Sequence, residues 1–468
     1  MSATAERMSR VDHAWLRMDN DVNLMMIVGV WLLQPHLSHA ALCRRIEQRL
    51  LQYPRFRQKV VEDALGACWV DDDAFDIRRH VLRETLPRRR GSGERAALQA
   101  RCGELATTPL DRAHPLWQFH LIEHYEGGSA VLVRIHHCIG DGISLTSVVM
   151  SITDGGELPP LRRDDGHAHD EGLAAALIRP LTQLAVKAID LSGDGVSLSM
   201  DLAAHPQAGT RELLRLGRRV AADMAALALM ENDSPTRLKG RPVGRKVVAW
   251  GEPLPLDLVK SVGKALHASV NDVLLACVAG AIGDYLREIG DPPAGKAIRA
   301  MVPVNLRPLD EAYKLGNRFG LAPLVLPVGI DNPVERVYAV RARMGDLKGS
   351  YQPVLAFGVL ALAGLLNKAS QDVLLDLFAR KATAVMTNVP GPVQRLGLCG
   401  STLRQSIFWV PQTGNVAVGV SIFSYAGGVQ FALITDAALC PEPQRIIDRF
   451  APELDKLVWL TLMLPWAA

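Results

Sequence analysis

The stretch VLVRIHHCIGDGISLTSVVM, residues 131–150, decides how this chain folds. Apolar and β-branched residues run from Ala130 to Ile135, a pattern typical of a buried strand. The two glycines of GDG (140–142) favour a tight turn that brings the backbone close to another group. Apolar residues then recur at helical spacing. His136 and His137 therefore lie where a rigid strand becomes a loop, which is a common place for reactive side chains.

The paired histidines favour general base catalysis. An imidazole with an ordinary pKa of about 6.5 is largely neutral at pH 7 and can accept a proton from a hydroxyl. Asp141 can hold the loop or the ring in place. The alternative is that the histidines only end a strand, which would be the preferred interpretation for a lone histidine. A zinc site is disfavoured because no HExxH or paired-cysteine spacing accompanies the motif, and Cys138 is more simply a packing residue than a nucleophile.

The sequence HHCIGDG (136–142) resembles the HHxxxDG motif of the CoA-dependent acyltransferases, a superfamily that includes chloramphenicol acetyltransferases and peptide-synthetase condensation domains. Further stretches, taken in order, are similar to the bacterial wax ester synthase/acyl-CoA:diacylglycerol acyltransferase family and cover nearly the whole chain. These stretches are DHAWLRMD (12–19), FDIRRHV (75–81), PLDRAHPLW (109–117), SVNDVLLA (269–276), VPVNLRP (302–308) and TNVPGP (387–392).

This resemblance implies an α/β fold of two chloramphenicol-acetyltransferase-like halves. Each half should be a mixed sheet flanked by helices, with the active-site tunnel between the two. We expect an N-terminal half (1–155) that carries HHxxxDG, a crossover with a mobile loop and helices (156–233), and a C-terminal half (234–468) that carries the ND and NVPGP motifs.

Periodicity and turn signals predict the main elements. The pattern indicates strands near 25–33, 75–81, 298–306 and 321–328, helices at 271–289 and 354–369, and a hairpin at 415–435.

The composition narrows the possible functions. The chain has 468 residues, 49% hydrophobic and 22% charged, and a net charge of +3, which is too mild to indicate a nucleic-acid partner. Seven cysteines without a CxxC pair suggest reduced thiols in a cytosolic protein. The N-terminus has no apolar signal-peptide core, and no apolar run reaches about 18 residues, so we predict no transmembrane helix. We therefore expect a cytoplasmic protein. Because the substrates and product that the resemblance implies are long-chain lipids, we also expect it to be peripheral on the inner membrane or on lipid droplets.

The implied reaction moves a long-chain acyl group from acyl-CoA, a substrate, to a fatty alcohol or diacylglycerol; no cofactor or metal is expected. His137 would remove the hydroxyl proton and then protonate the leaving thiolate, without an acyl-enzyme. His136 would support the loop. In the superfamily the motif aspartate typically pairs with an arginine, so Asp141 is assigned to structure, and Arg307 is one possible partner.

Several other residues are candidates for substrate binding. The backbone N–H groups near Gly142 and the side chain of Asn271 could stabilise the oxyanion, although Asn271 also suits a helix N-cap. A site role for Asn388, Pro390 and Gly391 rests on resemblance only, and a plain turn is the alternative. Trp117 is either a core or hinge residue or, as the resemblance implies, one that shapes the site. Where family members often have histidine, this chain has Met26, which could alter the acceptor pocket.

Two rival functions remain open at this point: a condensation-type enzyme that uses carrier-protein thioesters, and a non-catalytic lipid-binding homologue. Two apolar runs, 353–366 and 457–468, could dock on a lipid surface or pack in the core.

Overall fold

The computed structural model describes residues 5–63, 66–87, 93–155, 222–223, 226, 229–296, 298–307, 314–348, 350–366 and 368–463. The predicted crossover loop and its two helices lie almost entirely outside the described residues. The helices are α1 (Arg10–Arg17), α2 (His39–Arg49), α3 (Ile77–His80), α4 (Glu94–Thr107), α5 (Gly142–Met150), α6 (Leu256–Ala265), α7 (Val270–Glu288), α8 (Pro333–Lys348), α9 (Gln352–Ala363), α10 (Lys368–Ala379) and α11 (Gln444–Leu462).

The first large sheet has six strands and is built around the strand that ends in the histidine pair. That strand, β7 (Gly128–His136), is buried along its whole length, as its mostly apolar sequence predicts. The order across the sheet is β13 (Gly397–Leu398), β14 (Ser401–Trp409), β2 (Met26–Gln34), β7 (Gly128–His136), β6 (Trp117–Tyr125) and β5 (Val81–Glu84).

One edge of this sheet is supplied from far along the chain. The strands β13 and β14 lie within the C-terminal half in sequence, between strands of the second sheet, yet β14 pairs antiparallel with β2. An unpaired edge would leave the backbone groups of β2 without partners, and this crossing segment satisfies them. Residues 397–409 therefore complete the N-terminal sheet, so the predicted C-terminal half is not confined to the second sheet.

The second large sheet has seven strands and mixes parallel with antiparallel pairs. Its order is β11 (Phe319–Leu326), β10 (Ile298–Asn305), β12 (Ala384–Pro390), β15 (Val418–Tyr425), β16 (Gly428–Asp436) and β8 (Lys246–Trp250), with β9 (Leu254–Pro255) also paired to β16. A small third sheet contains β1 (Glu6–Arg7), β4 (Gly66–Asp71) and β3 (Gln58–Asp63) in that order. Sheets flanked by helices confirm the predicted fold class.

Three element predictions have clear outcomes. The hairpin is confirmed, because β15 and β16 meet at a turn in which Ala426 and Gly427 have positive φ. The strand predicted at 75–81 is wrong: the Asp76 side chain accepts a hydrogen bond from the backbone N–H of Arg78 and starts the single turn α3 before β5. The helix predicted to reach residue 369 ends at Ala363, where Gly364 lies so close to α1 that a Cβ would meet the Arg10 carbonyl oxygen at 2.0 Å.

No single helix among the described residues is both long and apolar enough to cross a membrane. The helices α6 and α7 are long and apolar enough for a membrane span only when they are counted together, and they are bent by 99° at their junction. Most of α7 is buried in the core of the second half. The apolar helix α9 also packs inside the protein, since Phe357 and Leu360 are only 3% and 6% exposed.

Candidate active site

His137 lies in the loop after β7, at the meeting point of the two halves. Its backbone N–H donates to the Met25 carbonyl oxygen at 2.7 Å, which fixes the loop on β2. Its ring stacks on Trp15 with centroids 4.2 Å apart and an interplanar angle of 15°. Phe319, from the second half, contacts the ring with centroids 5.6 Å apart. The imidazole is thus held by an aromatic residue from each half.

The ring of His137 is kept neutral by its surroundings. Burial among apolar groups lowers the pKa of His137 to about 4. The nearby Asp141 carboxylate, the residue's own backbone carbonyl and the Asn317 amide act in the opposite direction but do not outweigh burial. A neutral imidazole can accept a proton, so the environment supplies the form that a general base requires.

His136 faces the opposite side of the loop and is held by an acidic partner. Its Nδ1 accepts a hydrogen bond from the Cys138 backbone N–H at 3.1 Å, and its Nε2 lies 3.2 Å from Asp19 Oδ2. Burial acts to raise the pKa of Asp19, but the hydrogen bond and charge of His136 and the Met25 N–H lower it overall. These two contacts place His136 where it could support the loop.

Asp141 is a structural carboxylate in this geometry. Its Oδ1 accepts from the Ser144 N–H at 2.9 Å and so caps α5, and its Oδ2 accepts from the Arg318 N–H at 3.1 Å. Arg307 Nη2 lies 3.4 Å from Asp141 Oδ2, with both side chains buried. The arginine partner suggested by the sequence is therefore present, and it joins the motif loop to the second half.

A second link between the halves involves a residue that the sequence did not single out. The Asn317 Nδ2 donates to the His137 carbonyl oxygen and to Asp12 Oδ1, both at 2.7 Å, and the Asn317 backbone N–H donates to the same carboxylate oxygen. The adjacent Gly316 N–H donates to the Ile139 carbonyl oxygen at 3.0 Å. No local pattern marks Asn317, because its partners lie far away in sequence.

Asn317→Ala is expected to lower kcat by about 10²-fold with little change in KM, because a shift of about 1 Å in a reacting group costs roughly that much. The substitution removes the amide that ties the His137 backbone to Asp12. Steady-state kinetics with saturating acyl donor would measure this effect. Asn332→Ala, at an exposed helix start, is the matched control. A kcat equal to that of the control would show that this link does not position His137.

A cavity of about 230 Å³ surrounds the exposed edge of His137. Its lining is mostly apolar and comes from both large sheets and from α5 and α9. Contributors from the N-terminal half include Trp15, Met25, Ile27, Gly29, Ile135 and Val149. Contributors from later in the chain include Met301, Phe319, Leu321, Leu360, Val385 and Phe423. Such a lining suits alkyl chains rather than charged groups.

The predicted oxyanion residues are placed differently from one another. Gly142, at the first turn of α5, and Asn388 both line the cavity. Asn271 does not line it; its Oδ1 accepts from the Asn388 Nδ2 at 3.1 Å and so orients that amide. The alternative role of Asn271 as an N-cap is wrong, because Ser269 caps α7 and forms a capping box with Asp272.

Three other predicted site residues lie behind the cavity rather than on it. Trp117 is fully buried; its Nε1 donates to the Phe56 carbonyl oxygen at 2.9 Å and its ring stacks on His80, so it is a core residue. Pro390 is exposed at the end of β12. Gly391 packs so tightly that a Cβ would lie 2.3 Å from the Cζ of Phe423, a cavity residue. Gly391 therefore shapes the cavity only through Phe423.

The methionine placed at the family's histidine position faces away from the cavity. Alternate residues of a strand point to opposite faces, and on β2 the cavity face carries Ile27 and Gly29. Met26 instead lies in a small cleft beside His136 and Asp19. The expectation that Met26 alters the acceptor pocket is thus wrong; of these two adjacent methionines, Met25 is the one that lines the cavity.

Among the described residues, no group of three or more His, Cys, Asp or Glu side chains is arranged to hold a metal ion. The thiol next to His137 is also unsuited to nucleophilic attack. Burial raises the pKa of Cys138 well above its ordinary value, so the thiolate is disfavoured.

Two relatives are similar to this chain in sequence over most of their length. A diacylglycerol O-acyltransferase, so named, of Mycobacterium bovis is 28% identical over 412 residues, 86% of this chain and 84% of that protein. A Mycobacterium tuberculosis protein of the same name is 27% identical over 469 residues, 95% of this chain and 97% of that protein.

Two solved structures are similar in fold. The wax ester synthase/diacylglycerol acyltransferase from Marinobacter aquaeolei VT8 aligns over 98% of this chain and 100% of its own, with a TM-score of 0.66 and 20% identity. The first condensation domain of the CDA synthetase aligns over 99% of this chain and 97% of its own, with a TM-score of 0.57 and 14% identity.

Two models of one protein family match this chain. The wax ester synthase/diacylglycerol acyltransferase catalytic domain matches residues 8–274, and the WS/DGAT C-terminal domain matches residues 315–458. The first match alone includes both histidines of the HHxxxDG motif and covers more than half of the sequence. This chain therefore belongs to the wax ester synthase/diacylglycerol acyltransferase family.

Proposed function

We propose that His137 is the general base through which this acyltransferase moves an acyl group from acyl-CoA to the hydroxyl of a lipid alcohol. Family membership makes the chain an acyltransferase that acts on lipid alcohols. The observation that supports the residue assignment is the neutral, buried imidazole of His137 on an apolar cavity lined by both halves.

The reaction balances without a covalent intermediate. The alcohol oxygen attacks the thioester carbonyl carbon while the His137 imidazole takes the hydroxyl proton. The tetrahedral oxyanion then collapses, the C–S bond breaks, and the imidazolium returns the proton to the thiolate sulfur. A cavity that holds both substrates together supplies the proximity that this direct transfer needs.

The oxyanion would be stabilised by groups that already line the cavity. Gly142 begins α5, and the N–H groups of a first helical turn have no acceptor within their own helix and carry a partial positive charge. The Asn388 side-chain amide, oriented by Asn271, is the second candidate donor. In this proposal Asn271 is a positioning residue, and Asn388 replaces it as the group that touches substrate.

The acceptor is a lipid alcohol, and we propose diacylglycerol and long-chain fatty alcohol as its two classes. The names of the Mycobacterium relatives favour diacylglycerol. Labelled acyl-CoA offered together with hexadecanol and diacylglycerol would measure the ratio of wax ester to triacylglycerol. Formation of neither product with the purified protein would contradict the proposed function and favour a binding role.

The pH dependence of the reaction follows from the pKa of His137. Because this pKa is lowered to about 4, the free enzyme keeps its base neutral at every pH well above that value. We expect kcat/KM to be nearly constant from about pH 5 to about pH 8. If the base had the ordinary histidine pKa, kcat/KM would fall to half its maximum near pH 6.5. Initial rates, with circular dichroism at each pH as a folding control, would measure this. A midpoint near pH 6.5 would contradict the buried neutral base.

We also propose that the protein works peripherally at a lipid surface, on the inner membrane or on lipid droplets. The support is an exposed apolar patch at the end of α11, where Trp459 and Met463 are 68% and 80% exposed. Tryptophan favours the boundary between lipid and water. The predicted second contact, Trp466, lies outside the described residues.

Replacing both Trp459 and Met463 with alanine is expected to weaken binding to phospholipid vesicles by about tenfold or more, given the apolar surface lost. Flotation of the protein with vesicles would measure the bound fraction. Val243→Ala, at another exposed apolar residue, serves as the control. If the wild-type protein floats with no lipid mixture, the docking proposal fails.

A further inference from the structure

The cavity lining includes a row of β2 residues that leads away from the end of β7 nearest His137, and we call this row the arm of the cavity. Its floor is formed by Ile27, Gly29 and Trp31, which share a face because they alternate along β2. Thr146 and Val149 of α5 also line the cavity. The strand advances about 13 Å from Ile27 to Trp31, at roughly 3.3 Å per residue.

A hydrogen-bonded pair lies at the end of this row that is farther from His137. Trp31 Nε1 donates to Ser406 Oγ at 3.1 Å, and the two residues are 3% and 5% exposed. Trp31 and Ser406 are also register partners on neighbouring strands, so their backbones hold the pair in place. Leu33, the next residue on the same face of β2, is packed in the core instead of lining the cavity.

Gly29 leaves space in the arm because it has no side chain. A Cβ at this position would lie 3.2 Å from the Ile407 carbonyl oxygen and 3.6 Å from the Phe408 Cβ. Both of those residues line the cavity, so any side chain at Gly29 would take up space within the arm.

We propose that Trp31 and Ser406 form the end wall of this arm and limit the length of the alkyl chain that it accepts. The proposal rests on the proposed function, since only the reaction brings an alkyl chain into the cavity. Carbon–carbon bonds of about 1.5 Å advance an extended chain by roughly 1.3 Å per carbon, so about ten carbons fit between Ile27 and the wall. The bound chain is a saturated alkyl chain, carried either by the thioester or by the alcohol.

The test uses two series of substrates with the full-length protein. One series varies the acyl-CoA chain with hexadecanol fixed, and the other varies the alcohol with palmitoyl-CoA fixed. Gly29→Val is expected to shift the preferred chain to shorter lengths in one series, with kcat/KM for the longest chains falling at least roughly tenfold. Trp31→Leu, which removes bulk from the wall, is expected to shift the same series to longer chains. The series that shifts identifies the substrate that occupies the arm.

Val30→Ala is the matched control, because Val30 is buried on the opposite face of β2 in a different core. It should leave both length profiles unchanged. If Gly29→Val does not fold, Trp31→Leu decides alone, since it introduces no new bulk. Unchanged profiles in both series, or equal shifts in both, overturn the end wall while wild-type turnover still supports the proposed function. Absence of wild-type turnover with every substrate pair would instead overturn the proposed function itself.

Discussion

His137→Ala is expected to lower kcat by about 10²- to 10⁴-fold, the usual contribution of a general base. The variant loses the only ring nitrogens that the motif presents to the cavity, since His136 is turned toward Asp19. The fold should survive, because the backbone bond from residue 137 to the Met25 carbonyl oxygen does not depend on the side chain. Steady-state kinetics and circular dichroism of the purified variant would measure both effects.

His124→Ala, at an exposed histidine on the same sheet, is the control and should keep full activity. The kcat of His136→Ala should lie between those of His137→Ala and His124→Ala, because this substitution removes a residue that supports the loop and leaves the base in place. A folded His137→Ala enzyme with a wild-type rate would show that another group takes the proton.

Asp141→Ala is expected to lower the free energy of unfolding by about 3–5 kcal/mol. The substitution removes the carboxylate that pairs with the buried Arg307 guanidinium and also removes the cap of α5. Urea denaturation followed by circular dichroism would measure the change. The double variant Asp141→Ala/Arg307→Met should recover part of the loss, because it removes both buried charges of this ion pair.

Asp76→Ala provides a matched control at an exposed helix cap. That variant loses only a helix cap, so its free energy of unfolding should fall by about 0.5–2 kcal/mol. An unchanged unfolding midpoint in Asp141→Ala, combined with loss of activity, would place Asp141 in the chemistry itself.

The structure of the HHxxxDG loop could be predicted from the sequence because the residues that form it are close together in the chain. The apolar run, the histidines and the glycines occupy neighbouring positions, so strand, turn and helix follow from short-range patterns. The capping role of Asp141 is equally local, since its acceptor oxygen reaches an N–H three residues away. The ion pair with Arg307 could be suggested from sequence but not assigned, because several arginines could have served.

The sequence did not predict which side chains point into the cavity. Period-two alternation tells which residues of β2 share a face, but packing decides which face meets the cavity. Met25 and Met26 illustrate the difference: they are adjacent and chemically identical, yet one lines the cavity and the other lies beside His136. Asn271 was similarly identified as functional, although its neighbour Asn388 reaches the cavity.

The sequence by itself determined the family, the α/β class and the residue that serves as the candidate base. Only the tertiary structure decided how that base is held. Trp15 stacks on His137, Asn317 binds its carbonyl oxygen from 180 positions away, and β14 crosses over to complete the first sheet. These contacts join residues with no local relation, so no periodicity encodes them; they exist because burying apolar faces and pairing exposed strand edges bring distant segments together.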